Sequence, residues 1–180
     1  GVLVAYTGDL PQVSALDEYK PSTITRMYAS DGRVIGEFAT QRRVNLKYEE
    51  IPPLIRQAIL AAEDAEFDHH IGIRPMRLLV TIVRNLVYER RLFYAGASTL
   101  TQQLTRKLFL KPEKTFERKV KEVVLALQIE KRYTKPEIFT LYCNQMNLGH
   151  GAYGVEAAAR VYFGKPAKDL SVGEAATIGG

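Results

Sequence analysis

The 180-residue chain contains no tryptophan and a single cysteine, Cys143. One thiol cannot form an intrachain disulfide, and the absence of disulfides leaves the compartment open. Cys143 sits beside Leu141 and Tyr142 in a helical apolar pattern, which favours a buried structural thiol over a nucleophile. No stretch approaches the ~20 consecutive apolar residues of a membrane span. There is no internal repeat and no signal-peptide pattern. Both ends, Gly1-Val-Leu-Val and Ile178-Gly-Gly180, read as cut, so a C-terminally truncated, excised domain is expected.

Hydrophobic residues make up 46%, enough for a real core, and disorder is excluded. Lys plus Arg number 25 against 20 Asp plus Glu, a formal charge of +5. This modest excess suits an anionic partner, whether phosphate groups, an acidic membrane surface or nucleic acid, and is also common in soluble domains without one.

Two short β-like runs, 23–29 and 33–38, flank Asp31-Gly32, a hairpin signal. From residue 51 the pattern is helical. Ile51, Leu54, Ile55, Ala58, Ile59 and Ala62 share one face of a first helix, and 76–87 predicts a second. Thr99 with Gln102, Thr134 with Glu137 and Ser171 with Glu174 read as capping boxes opening further helices. Pro112-Glu113 predicts the start of a long helix with Phe116, Val120, Val123, Val124 and Leu127 inward. A helix from Thr134 is expected to end near Asn147, ahead of Gly149, Gly151 and Gly154. The class is mainly α with a small N-terminal β-hairpin.

Glu63 extends the apolar face of the first helix, with Phe67 four residues further on. A carboxylate there is either a hydrogen-bonded helix end or a partly desolvated general base. Glu122 lies four residues after Arg118 and three after Lys119, so all three side chains meet. A solvated ion-pair ladder is the ordinary meaning of such spacing. Arg106, Lys107, Lys111, Lys114 and Lys121 crowd the same stretch, and together these cations suit a pyrophosphate. Gly96-Ala-Ser-Thr-Leu-Thr-Gln-Gln103 places hydroxyls at a helix start but lacks the lysine and spacing of a P-loop, which excludes nucleotide binding of that kind. His69 and His70 have no partners at metal-ligand spacing, so no zinc site is expected. Leu86, Val87, Leu92, Phe93 and Tyr94, mixed with Arg84, Arg90 and Arg91, suit a segment dipping into an anionic membrane interface.

Five motifs in order resemble family 51 glycosyltransferases, the glycan-polymerising domain of bacterial class A penicillin-binding proteins. They are Glu63-Asp64-x-x-Phe67-x-x-His70-x-Gly72, then Gly96-x-Ser98-Thr99-x-Thr101-Gln102-Gln103, then Arg118-Lys119-x-x-Glu122. Lys135 to Ile138 with Leu141-Tyr142-x-Asn144 and Leu148-Gly149 follow, and last Ala157-Ala158-Ala159, Tyr162-Phe163-Gly164, Leu170-Ser171 and Glu174-Ala175. The chain departs from the family at Arg74, where Asp is usual, at Val80-Thr81, where Arg-Ala is common, and at Cys143, where Leu is more usual.

The resemblance implies a lysozyme-like, two-lobed helical fold over 51–180, led in by an irregular segment and hairpin over 1–50. It implies polymerisation of lipid II into β-1,4-linked glycan by inverting displacement of undecaprenyl pyrophosphate. Glu63 would be the general base. Glu122, with Arg106, Lys114, Arg118 and Lys119, would stabilise the leaving group. Asp64, Phe67, His70, Ser98, Thr99, Gln102, Gln103 and Asn144 would complete the substrate site. No cofactor would be obligatory, and Glu63 or Glu122 would be the residue to hold Mg2+ or Mn2+. The partners would be the growing glycan, moenomycin-type inhibitors, other cell-wall synthesis proteins and the outer face of the bacterial cytoplasmic membrane, with no nucleic acid. A lytic, lysozyme-like enzyme would share the glutamate-bearing cleft but would not need the cations around Glu122. A nucleic-acid-binding module would leave Glu63 and the paired glutamines unexplained.

Overall fold

Two consecutive prolines set the first helix. Pro52 is its N-cap and Pro53 occupies the first helical position, where a missing N–H costs nothing. Helix α1 then runs Pro53–Glu63 and buries Ile55 and Ile59. The computed structural model describes residues 10–16, 25–31, 33–38, 42–76, 80, 98–113 and 115–180. The expected helix over 76–87, apart from Met76 and Val80, and the apolar-basic segment to Tyr94 lie outside the described residues, as does Lys114.

Five further α-helices follow among the described residues: α2 (Leu100–Phe109), α3 (Phe116–Arg132), α4 (Lys135–Gln145), α5 (Val155–Phe163) and α6 (Val172–Gly179). All three expected capping boxes are present. The long helix α3 differs from expectation at its start. Thr115, not Pro112-Glu113, opens it, because the Thr115 hydroxyl accepts the Arg118 N–H at 3.1 Å. A side-chain oxygen on an otherwise orphaned first-turn donor outcompetes the propensity of the upstream proline.

The β content is small. Strands β1 (Thr25–Tyr28) and β2 (Val34–Phe38) form the expected antiparallel hairpin. Strand β3 (Arg42–Arg43) pairs in parallel with β4 (Ala152–Tyr153), a link that local sequence patterns do not signal. The described residues are thus mainly helical, in keeping with a lysozyme-like fold.

The core joins α1, α2, α3, α4 and α6 through Ile55, Ile59, Leu100, Leu104, Leu125, Ile129, Ile138, Phe139 and Ala175. Val13 and Leu16, in a 3-10 turn of the lead-in, belong to the same core. Helices α1 and α6 cross closely at Gly179, where a Cβ would stand 2.9 Å from the Ala58 carbonyl carbon. Hydrogen bonds from Leu100 to Asp64 and from Gln103 to Glu63 bring the end of α1 and the start of α2 to one place.

Candidate active site

Glu63 is the last residue of α1. Its Oε2 accepts a 2.6 Å hydrogen bond from Gln103 Nε2, one turn into α2. The same amide is oriented from its other end, where Oε1 accepts the Tyr142 hydroxyl at 3.4 Å. Ile59, Glu63, Gln103, Tyr142, Met146, Asn147 and Leu148 line a cavity of about 200 Å³. Burial, and after it the negative charge of Glu63, pushes the Tyr142 hydroxyl well above the ordinary tyrosine range, while Arg106 works against that rise. Glu63, Tyr142 and Arg106 therefore share one electrostatic neighbourhood, and Arg106 stands one turn beyond Gln103 on α2.

Asp64 has a different environment from its neighbour. It is buried, and its Oδ2 accepts the Leu100 N–H at 2.9 Å and contacts His70 Nε2 at 2.8 Å. His70 Nδ1 accepts the Gly72 N–H at 3.0 Å, which leaves Nε2 to carry the proton donated to Asp64. Burial alone would raise the Asp64 pKa. The His70 hydrogen bond, the Leu100 N–H and the fields of His70 and Arg74 outweigh it and hold the carboxyl below the ordinary value. Arg74 approaches Asp64 Oδ1 at 2.6 Å as an ion pair, although the N–H does not point along the hydrogen-bond direction.

At the start of α2, Thr99 and Gln102 are occupied with each other. The Gln102 side chain accepts the Thr99 N–H at 3.0 Å, and the Thr99 hydroxyl accepts the Gln102 N–H at 3.2 Å. That hydroxyl also donates to the Gly72 carbonyl at 2.6 Å, stitching the second motif to the first. Both side chains are buried. Gln102 thus caps its helix and Gln103 faces the acid, which accounts for the adjacent pair.

Ser98 joins this region to α3, because Lys119 Nζ donates to the Ser98 hydroxyl at 3.0 Å. The same ammonium donates to Glu122 Oε1, and Arg118 donates to Glu122 Oε2 at 2.8 Å. Glu122 is completely buried while Lys119 remains partly exposed. This is a correction to the picture of a solvated ladder: one carboxylate inside the protein holds two cations at its rim. Ser98 precedes the Thr99 N-cap and Gln103 lies in the first turn of α2, so the Lys119 and Glu63 contacts are made at the same end of that helix.

Other sequence-predicted residues have structural partners. Phe67 is buried against Phe139, with ring centroids 6.2 Å apart. Asn144 accepts the Leu46 N–H at 2.9 Å and donates to the Leu46 carbonyl at 2.8 Å, so its amide is committed to clamping the lead-in. Sequence reasoning passed over Tyr142, which fixes Gln103, although it lies within the fourth motif. It also passed over Lys135, which donates to the His70 carbonyl at 2.6 Å and to Glu130 at 2.8 Å while lying 4.5 Å from the Phe67 ring centroid. Among the described residues, no three His, Cys, Asp or Glu side chains gather as a metal-binding group, and no helix is long and apolar enough to cross a membrane.

Residues 31–180 match the transglycosylase family. The chain is 41% identical to penicillin-binding protein 1A of Pseudomonas aeruginosa, over 100% of this chain and 22% of that protein. It is 42% identical to penicillin-binding protein 1A of Aquifex aeolicus, over 98% of this chain and 24% of that one. The Vibrio cholerae protein of the same name is 42% identical over 96% of this chain and 21% of its own length. The chain thus spans about a fifth to a quarter of the length of these curated relatives. With a carboxylate held by an oriented glutamine, a buried glutamate gathering two cations, and a family match over residues 31–180, the chain belongs to the transglycosylase family.

Proposed function

We propose that this domain is a peptidoglycan glycosyltransferase that polymerises lipid II into β-1,4-linked glycan. The observation that carries the reading is the pairing of Glu63 with Gln103 at the wall of a cavity, in a chain that also holds two cations on the buried Glu122. Glu63 takes the proton from the acceptor 4-hydroxyl as that oxygen attacks the donor anomeric carbon. The bond from that carbon to the pyrophosphate oxygen breaks in the same displacement, and the α-linked donor becomes a β-linked product. The leaving group is already a good one and needs charge neutralisation more than a proton. Lys119 and Arg118, with Arg106 and Lys114, supply that charge.

Glu122 is poorly suited to a divalent cation, because both of its oxygens are engaged by Arg118 and Lys119. Glu63 could lend an oxygen to Mg2+ or Mn2+, and such an ion would supply further charge neutralisation at the pyrophosphate. Moenomycin-type phosphoglycolipids would compete for the donor side. The growing glycan, other cell-wall synthesis proteins and the outer face of the cytoplasmic membrane are the expected surroundings, with Leu92 and Phe93 entering the membrane interface. Flotation of the protein with anionic liposomes should weaken when Leu92 and Phe93 become Ser.

The direct test incubates the full natural chain with labelled lipid II. Appearance of a lysozyme-sensitive polymer that Glu63→Gln abolishes is the expected result. Cleavage of preformed glycan, with no polymer formed, would instead identify a lytic enzyme.

A further inference from the structure

Arg74 stands where the chain departs from its family resemblance, and its side chain is only 9% exposed. A guanidinium in such a place needs acceptors on several sides. Nη2 forms an ion pair with Asp64 Oδ1 at 2.6 Å, and Nε lies 3.3 Å from Glu66 Oε2. Glu66 is exposed, so the pair with Asp64 is the buried one. Asp64 is also the residue that receives the first N–H of α2, at Leu100. It caps the end of α1 immediately after Glu63. Its carboxylate is thus the bracket between the helix that ends in the acid and the helix that carries Gln103.

We propose that Arg74 is a positioning residue for glycosyl transfer: by pairing with the buried Oδ1 of Asp64 it sets the distance between α1 and α2, and with it the Gln103–Glu63 contact. The inference rests on the glycosyltransferase reading above. Without the guanidinium, Asp64 keeps His70 and Leu100 on one oxygen and has no cation on the other. The carboxylate can then rotate, and α2 loses a fixed reference at its first turn. His70 cannot substitute, because its Nε2 already serves Oδ2 and its Nδ1 is held by Gly72. Lys135 cannot either, since it is engaged by Glu130 and the His70 carbonyl. The ion pairs of Arg74 run to Asp64 and Glu66 and not to Glu63 or Gln103, so its influence on the acid passes through Asp64.

The test measures kcat and KM for lipid II in the full natural chain carrying Arg74→Gln or Arg74→Lys, each also combined with Gln103→Ala. Misplacement of the acid should lower kcat by about 10-fold in Arg74→Gln with KM unchanged. Lysine keeps the charge toward Asp64 but cannot span to Glu66, so Arg74→Lys should fall between native and Arg74→Gln. In the Gln103→Ala background, Arg74→Gln should add little, because the contact it positions is already gone. A raised KM with native kcat, a folded Arg74→Lys enzyme at native kcat, or full additivity with Gln103→Ala would overturn the proposal. Should Arg74→Gln fail to fold, the Arg74→Lys enzyme and its Gln103→Ala combination decide the matter alone. Failure of the native chain to polymerise lipid II would sink the glycosyltransferase reading instead, so the two failures are distinguishable.

Discussion

Gln103 donates to Glu63 at 2.6 Å across the gap between two helices whose contact residues are 40 positions apart. This bond holds the carboxylate at the cavity wall with one oxygen committed. Glu63→Gln removes the acid while keeping nearly the same shape. Loss of a general base should cost ~10²–10⁴ in polymerisation rate. The melting temperature should stay close to native, and a Glu63→Gln protein with native turnover would remove Glu63 from the mechanism.

Glu122 sets a second, different expectation. Its carboxylate is buried and shared by Arg118 and Lys119. Glu122→Gln leaves two cations facing a neutral amide, and breaking a buried pair of this kind costs about 3–5 kcal/mol. Turnover and thermal stability should therefore fall together, unlike Glu63→Gln. Calorimetry with a moenomycin-type ligand completes the comparison. Charge reversal at Lys119 should weaken that ligand, and retained affinity there would assign the pyrophosphate to other residues.

Asp64 gives the domain an acid-sensitive joint. Burial would raise its pKa, but the His70 and Leu100 hydrogen bonds and the fields of His70 and Arg74 outweigh it and hold the folded pKa below that of an unfolded aspartate. The stability it contributes is fully present above that unfolded value and is lost as pH falls through the lower folded pKa. Asp64→Asn should thus destabilise the protein at neutral pH and flatten its stability profile below about pH 4. Parallel denaturant titrations at pH 7 and pH 3 measure this, and equal losses at both pH values would contradict it.

Gly72 adopts a φ of +90°, and a Cβ there would meet Glu130 Cγ at 2.7 Å and the Ala126 carbonyl oxygen at 3.0 Å. The first contact can yield, since it involves a side chain, but the second is helix backbone. Gly72→Ala should cost about 1–3 kcal/mol from backbone strain alone. It should also loosen the Thr99 hydroxyl bond to the Gly72 carbonyl, lowering the temperature of unfolding in a calorimetric scan.

Local signals reported local structure well. The capping pairs Thr99–Gln102, Thr134–Glu137 and Ser171–Glu174 marked three helix starts, because a cap is formed by residues three apart. The spacing of Arg118, Lys119 and Glu122 told that they meet. It did not tell that the carboxylate is wholly buried, which depends on what α3 packs against. The partners of Gln103 and Asn144 were beyond reach for the same reason. Glu63 is 40 positions from Gln103, and Leu46 is 98 from Asn144, and no periodicity spans such separations. At Asn144 the resemblance suggested a substrate contact, whereas the amide is occupied by main chain.

The clamp between Leu46 and Asn144, with the β3–β4 pairing beside it, has a consequence for how the chain is made. Residues 42–46 leave the ribosome well before 144–153 exist. At bacterial and eukaryotic synthesis rates, the 98-residue delay lasts roughly 5–20 s. During that interval the early segment has an unpaired strand edge and no seat to occupy. The capped helices between them can form first from local contacts, and the early strand is tied down last, as a seal on a body already assembled.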